Sequence, residues 1–295
     1  MFISEKGINE LQWWLAETQN LTNWIIPPPI TEEIFCDASD YAWGGTYKIH
    51  KTGGAWCLSE ITEHINAKEM MAVLFTIKSF LNALKSKHVK VFSDNTSAVG
   101  IINKMGTSKS NPCNLICQDI WEICKNNDIW LTCAHIPGKE NTLATTFIRN
   151  YKDSEWMLNP RIFESITKKL NYFPKIDCFA SRLNCQVEKY ISYRPDPNSY
   201  LVDAFTVNWK DLKAYLFPPF SLIGRVLQKI QNDRATVLMI LPNWPTQPWF
   251  TTLHEMIIGH PVTINPGQAN ILFPSDPDLI HPMWKTKLIA CIVSA

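Results

Sequence analysis

The segment Asn66–Leu84 constrains the fold most. Its apolar residues fall at 70, 73, 74, 77, 80, 81 and 84, the 3.6-residue repeat of a helix with one buried stripe. Strand-like runs bracket it. Upstream, Glu33–Asp37 and Tyr41–His50 carry strand formers, Lys51-Thr52-Gly53-Gly54 reads as a hairpin turn, and Ala55–Leu58 as the returning strand. Downstream, Val89–Ser93 is a short buried strand, and Asn95–Lys104 reads as a helix stopping at Gly106. A further helix, Asn111–Asn126, opens on Asn111-Pro112 as cap and first position. Ile129–His135 alternates as a strand, and after Pro137-Gly138 a last helix spans about Asn141–Arg149. The order β-β-β-α-β-α-α-β-α predicts a mixed sheet with helices, roughly 120 residues long.

This unit occupies less than half of the 295 residues. Before it, a helix from about Gly7 to Asn20 leads into an extended segment, Trp24–Ile30, held by Pro27-Pro28-Pro29. After it, Tyr151–Trp156 reads as a linker, and the composition shifts: most prolines lie beyond residue 157, and only Gly224, Gly259 and Gly267 of the 11 glycines do. Strand candidates there are Lys175–Phe179, Ala214–Phe217, Thr236–Leu241, Pro261–Ile264 and Leu288–Val293, with helices at Asn184–Ile191, Ser221–Asn232 and Gln247–Ile258. That alternation predicts a second α/β domain. The expected division is 1–30, 31–150 and 157–295.

A chain with 46% hydrophobic and 19% charged residues can bury an ordinary core. The formal net charge of +1 excludes a strongly cationic nucleic-acid coat, though not a local basic patch. No apolar run approaches the ~20 residues of a membrane span, and the N-terminus has no secretory pattern. The nine cysteines include no CxxC pair, so buried thiols in a reduced, intracellular protein (cytoplasmic or nuclear) are expected. Cys113, Cys117 and Cys124 follow a helical spacing that suits core packing better than zinc.

Three acids stand where an enzyme would want them. Asp37 ends the run Ile34-Phe35-Cys36, Glu69 lies near the start of the amphipathic helix, and Asp94 follows the buried strand Val89–Ser93. Two strand-end aspartates and a helix glutamate can converge at one end of a sheet. Such a cluster is costly without a cation, and all-oxygen ligands suit Mg²⁺ or Mn²⁺. Two such ions about 4 Å apart orient a water and stabilise a leaving phosphodiester oxygen. Taken singly, Asp37 and Asp94 fit ordinary strand-to-turn positions, and Asn66 with Glu69 fits a cap and its capping-box partner.

The motifs CDASDYAWGG (36–45), NAKEMMAV (66–73), VFSDNTSAVGIIN (91–103) and AHIPGKENTLA (134–144) resemble the ribonuclease H domain of retroelement polyproteins, most closely of DIRS-type retrotransposons. LQWWLAE (11–17) resembles the segment joining reverse transcriptase to that domain. The resemblance implies a ribonuclease H-like fold, two-metal cleavage of RNA in RNA–DNA hybrids, and a reverse transcriptase domain of the same element as a partner. It implies that Asp37 bridges both metals, that Glu69 and Asp94 hold one metal and orient water, and that His135 assists proton transfer or product release. Asn141 matches an Asn before the last helix and is expected to cap it. The family's fourth carboxylate falls at Thr145, a neutral and poor ligand, so cleavage is expected to be weakened. A DDE-type transposase on the same fold needs its Glu last. Here the spacings are 32 (69 − 37) and 25 (94 − 69), with Glu second, and Glu140 lies in a loop.

The second domain is similar to the Dam-like adenine methyltransferase region that follows ribonuclease H in DIRS-type elements, implying a Rossmann-like fold. The resemblance rests on IDCFASRLN (176–184) and LFPPF (216–220). Active enzymes place a polar residue before Pro-Pro-aromatic to accept the target amine. Here Phe217 precedes Pro218-Pro219-Phe220 and cannot accept that bond, whose loss costs about 1–3 kcal/mol. No Gly-rich strand-to-helix turn is present, so neither S-adenosylmethionine nor methylation is expected; Asp177 and Asp203 suit turns or caps as well as a cofactor. For nucleic acid, Asn95, Lys104 and Lys109 are the candidate contacts, the lysines gripping phosphates without sequence choice. The sequence thus supports a weakened ribonuclease H or, alternatively, a non-catalytic nucleic-acid-binding or scaffold remnant.

Overall fold

The structure is a computed structural model and describes residues 3, 5–17, 27–142, 144, 148 and 156–295. The N-terminal half has helix α1 (Glu5–Glu17), strands β1 (Glu32–Ala38), β2 (Ala42–Tyr47) and β3 (His50–Ala55), helices α2 (Ile65–Ser79) and α3 (Leu81–Leu84), β4 (His88–Ser93), helices α4 (Thr96–Asn103) and α5 (Asn111–Asn126), and β5 (Trp130–His135). The five strands form one sheet in the order β3-β2-β1-β4-β5. The β1–β2 and β2–β3 pairs are antiparallel, whereas β1–β4 and β4–β5 are parallel.

Helix α2 is the centre of the packing. It contacts β1, β2, α4 and α5, so its residues from Ala67 to Ile77 are all buried. Its core partners include Ile34, Cys36, Val91, Cys117 and Ile120. The predicted single stripe is therefore too narrow, because helices close over the face opposite the sheet. The helix also breaks earlier than the periodicity suggests, at Phe80, and α3 continues separately. Its cap is His64, whose Nδ1 accepts from the Asn66 amide, rather than Asn66 itself. Likewise Ser110, not Asn111, caps α5, with Pro112 in its first turn.

The predicted hairpin turn at residues 51–54 is displaced. The chain turns at Lys48-Ile49, with Lys48 at φ 54°, and Thr52, Gly53 and Gly54 lie inside β3. The glycines here serve packing rather than turning. A Cβ on Gly45 would sit 2.0 Å from Thr76 Oγ1, so its absence lets α2 press onto the sheet.

In the C-terminal half the elements are β6 (Met157–Leu158), α6 (Pro160–Lys169), β7 (Ile176–Asp177), β8 (Ile191–Ser192), β9 (Leu201–Val202), β10 (Ala214–Leu216), α7 (Ile223–Asp233), β11 (Thr236–Pro242), α8 (Trp249–Met256), β12 (Ile257–Ile264), β13 (Ile271–Leu272) and β14 (Leu288–Ser294). A second five-stranded sheet runs β12-β14-β11-β10-β7. Strands β7, β10 and β11 are parallel, in the Rossmann-like manner, whereas β14 and β12 add antiparallel neighbours. Strand β11 shows why its sequence is apolar throughout. Val237, Met239 and Leu241 face a core with Ile223, Val226, Ile230 and Leu253, while Leu238 and Ile240 face another with Leu158, Ile166 and Tyr215.

Two expectations fail in this half. Residues 184–191 form turns leading into β8, not a helix. The Asn184 Oδ1 accepts from the Ser181 amide at 2.7 Å and the Asp177 Oδ2 from the Gln186 amide at 3.1 Å, so side chains draw the local N–H groups out of helical pairing. Conversely, α6 is not among the predicted helices, although Asn159 caps it by accepting from the Arg161 amide and Pro160 opens it. Among the described residues no helix is long and apolar enough to cross a membrane.

Candidate metal centre

The parallel pairing of β1 with β4 sets the site. Phe35 stands opposite Phe92, so the two chains leave the sheet side by side at Asp37 and Asp94. Helix α2 crosses this sheet end with its first turns and lowers Glu69 between them. One ligand oxygen from each of Asp37, Glu69 and Asp94 lies within 4.8 Å of the others. Asp37 and Glu69 are 8% and 3% exposed, whereas Asp94 is half-buried, so among the three Asp94 is the most open to solvent.

The Glu69 carboxyl is anchored at both oxygens. Its Oε1 accepts from the Ala38 amide and its Oε2 from the Ser93 hydroxyl, each at 3.3 Å. The Ala38 amide also donates to Asp37 Oδ1 at 3.0 Å. Burial, then the nearby Asp37 and Asp94 charges, push the Glu69 carboxyl up to about 8, outweighing the two hydrogen bonds that favour its ionised form. Three oxygens converging from separate elements, with mutual repulsion raising one of them, fit a hard divalent ion such as Mg²⁺ or Mn²⁺.

Neighbouring residues hold this geometry. A Cβ on Gly138 would fall 2.8 Å from Asp94 Oδ2, so glycine there lets the loop after β5 close on the carboxylate. The Asn141 Nδ2 donates to the Cys36 carbonyl at 2.9 Å, tying the end of that loop to the residue before Asp37. The helix that Asn141 was expected to cap lies mostly outside the described residues. So does Thr145, the position of the expected fourth carboxylate.

The other site candidates are spread more widely. His135 is exposed at the end of β5, opposite Ser93, the residue before Asp94, in the strand register. Asn95 is committed to structure. Its Oδ1 caps α4 by accepting from the Ala98 amide, and its Nδ2 donates to Asn66 Oδ1, both at 2.9 Å. Lys104 and Lys109 are exposed on the connection between α4 and α5. Lys68 was not singled out from sequence. It is 3% exposed, yet its Nζ turns away from the acids to the Asp40 carbonyl at 3.2 Å, bracing the β1–β2 turn. A charged residue next to Glu69 in an otherwise apolar helix start was the available signal.

In the second sheet, Phe217, Pro218, Pro219 and Phe220 follow β10 at its C-terminal end. Phe220 packs edge-on to Trp244 at 5.5 Å and tilts toward Phe217 at 6.2 Å. Asp177 is buried and accepts from the Phe179 and Gln186 amides; burial pushes its carboxyl up to about 7. Asp203 accepts from the Phe205 amide at 3.0 Å. Both acids therefore organise loops. All nine cysteines are free, and Cys113, Cys117 and Cys124 line the buried face of α5.

No protein-family profile matches the chain, and no curated protein matches it. Solved structures do. The chain is similar to ribonuclease H1 from the halophilic archaeon Halobacterium salinarum NRC-1, with 12% identity and a TM-score of 0.34 over 39% of this chain and 92% of that one. It is similar to LC11-RNase H1 in complex with an RNA/DNA hybrid, with 18% identity and a TM-score of 0.34 over the same shares. A foamy viral protease–reverse transcriptase in complex with an RNA/DNA hybrid matches at 13% identity and a TM-score of 0.28, over 48% of this chain and 25% of that one. The fold itself is read from the strand order: three antiparallel strands continued by two parallel ones, with α2 across the sheet, make a ribonuclease H-like α/β unit.

Proposed function

We propose that the chain is a divalent-metal-dependent nuclease of the ribonuclease H type, acting on the RNA strand of RNA–DNA hybrids, from a DIRS-type retroelement. The observation that carries this reading is the convergence of Asp37, Glu69 and Asp94 from β1, α2 and β4. Bound divalent ions would activate water and neutralise charge on the leaving oxygen. The chain's own residues then have separate tasks. Asp37 and Glu69 supply shielded oxygens, and a bound cation would favour the ionised form of Glu69. Asp94, on the open side, faces the substrate. His135, exposed at the neighbouring strand end, assists proton transfer or product release. Lys104 and Lys109 grip phosphates, giving binding that weakens steeply with salt. Residues 31–150 form the nuclease domain in this reading. Residues 157–295 are a degenerate Dam-like domain, in which Phe217 removes the amine acceptor.

The test is cleavage of an RNA–DNA hybrid in Mn²⁺ and Mg²⁺. Cleavage that is weak in the parent, lost in Asp37→Asn and raised by Thr145→Asp supports the reading. Absence of both cleavage and divalent-ion binding in the parent refutes it and leaves a non-catalytic nucleic-acid-binding remnant.

A further inference from the structure

Arg182 of the downstream half reaches onto the first sheet's unit. Arg182, from the loop after β7, donates from Nη1 to Glu60 Oε1 at 2.7 Å and from Nη2 to Glu60 Oε2 at 2.9 Å. Its Nη2 also approaches the Ala55 carbonyl at 3.2 Å, at the end of β3, and its guanidinium lies 4.5 Å from the centre of the Phe75 ring of α2. The two ion-pair side chains are each 16% exposed. Glu60 in turn accepts from the Cys57 amide at 2.9 Å, ordering the loop between β3 and α2. A second contact lies nearby: the Thr52 hydroxyl of β3 donates to the Pro195 carbonyl at 2.7 Å.

These contacts bracket one segment. Thr52, Ala55 and Glu60 precede α2, Phe75 lies in its second half, and Glu69 sits between them. The geometry points to Arg182 as a positioning residue for the carboxylate centre, acting through Glu60 and Phe75 to fix α2. The inference rests on reading that centre as a metal site. The position of α2 sets how closely Glu69 approaches Asp37 and Asp94, whose oxygens lie within 4.8 Å of its own. A bidentate, stacked guanidinium supplies directional restraint that a lysine cannot reproduce. On this account the downstream half serves the nuclease centre mechanically, and its loss of methyltransferase features does not make it dispensable.

The experiment uses the full chain with Arg182→Ala, Arg182→Lys and, as a control that lowers stability without touching Glu60 or Phe75, Ile230→Val in the second core. Two readouts are taken below the melting range: Mn²⁺ affinity by calorimetry, and amide hydrogen exchange over residues 65–72. Arg182→Ala is expected to weaken Mn²⁺ binding about ten-fold, the scale of a lost supporting contact, and to speed exchange over those residues. Arg182→Lys should show a smaller loss in the same direction, and Ile230→Val neither effect. Affinity within two-fold of the parent, with unchanged exchange, overturns the inference. Should Arg182→Ala not fold, Arg182→Lys decides it by the same two readouts. If the parent binds no Mn²⁺, the metal-site reading fails, while the exchange comparison still decides whether Arg182 holds α2.

Discussion

Glu69→Gln separates stability from function at the carboxylate centre. The Glu69 carboxyl is held up to about 8, against 4.5 when unperturbed, first by burial and then by Asp37 and Asp94. The folded protein therefore binds a proton at Glu69 more tightly than the unfolded chain does. Its contribution is neutral below pH 4.5, turns destabilising as pH climbs, and levels off above pH 8. At about 1.4 kcal/mol per pKa unit, a rise from 4.5 to about 8 costs on the order of a few kcal/mol once pH exceeds 8. Glutamine keeps the shape and carries no charge to repel Asp37 and Asp94. Urea unfolding in EDTA, followed by tryptophan fluorescence, should thus show the variant gaining on the parent by about 3 kcal/mol between pH 5.5 and 8.5. At Mn²⁺ concentrations of 100 times Kd the gap should narrow, since binding stabilises the parent by about 2.7 kcal/mol and the variant by less. Parallel stability curves for parent and variant across this pH range would refute the argument, because no strain would then be stored at Glu69.

Two further substitutions probe what supports the site. Gly45→Ala places a methyl 2.0 Å from Thr76 Oγ1, whose hydroxyl is already bonded to the Ala72 carbonyl, so the strand and α2 must separate. A loss of about 1–3 kcal/mol in urea unfolding is expected, with much less for Gly54→Ala, whose methyl would lie 3.3 Å from the Trp43 ring. Asp177→Asn tests the second half: because burial raises this carboxyl to about 7 from 3.8, stability present below pH 4 is lost as pH rises toward 7. The variant should lose about 1–3 kcal/mol at pH 5 through one unmet amide donor, yet its stability should fall less between pH 4.5 and 8. An unchanged pH slope would show that Asp177 is not held neutral.

Local chemistry made much of the chain legible. The apolar runs before Asp37 and Asp94 mark strands that end on an acid, and the periodicity of residues 70–84 marks the helix that carries Glu69. Their order in the chain is enough to suggest a site. What failed to read correctly depends on neighbours distant in sequence. Gly53 and Gly54 look like turn residues, but β3 pairs with β2 through both of them, and the turn falls at Lys48. Residues 184–191 look helical, but Asp177 takes the Gln186 amide first.

The sequence by itself determined which strands end in carboxylates and which helix brings the third, because those choices follow from runs and periods a few residues long. Only the tertiary structure decided that the three oxygens meet within 4.8 Å, that burial pushes the Glu69 carboxyl up, and that Arg182 from the loop after β7 grips Glu60 and Phe75. Each of those depends on packing between elements dozens of residues apart, where shape and desolvation rather than local propensity set the outcome.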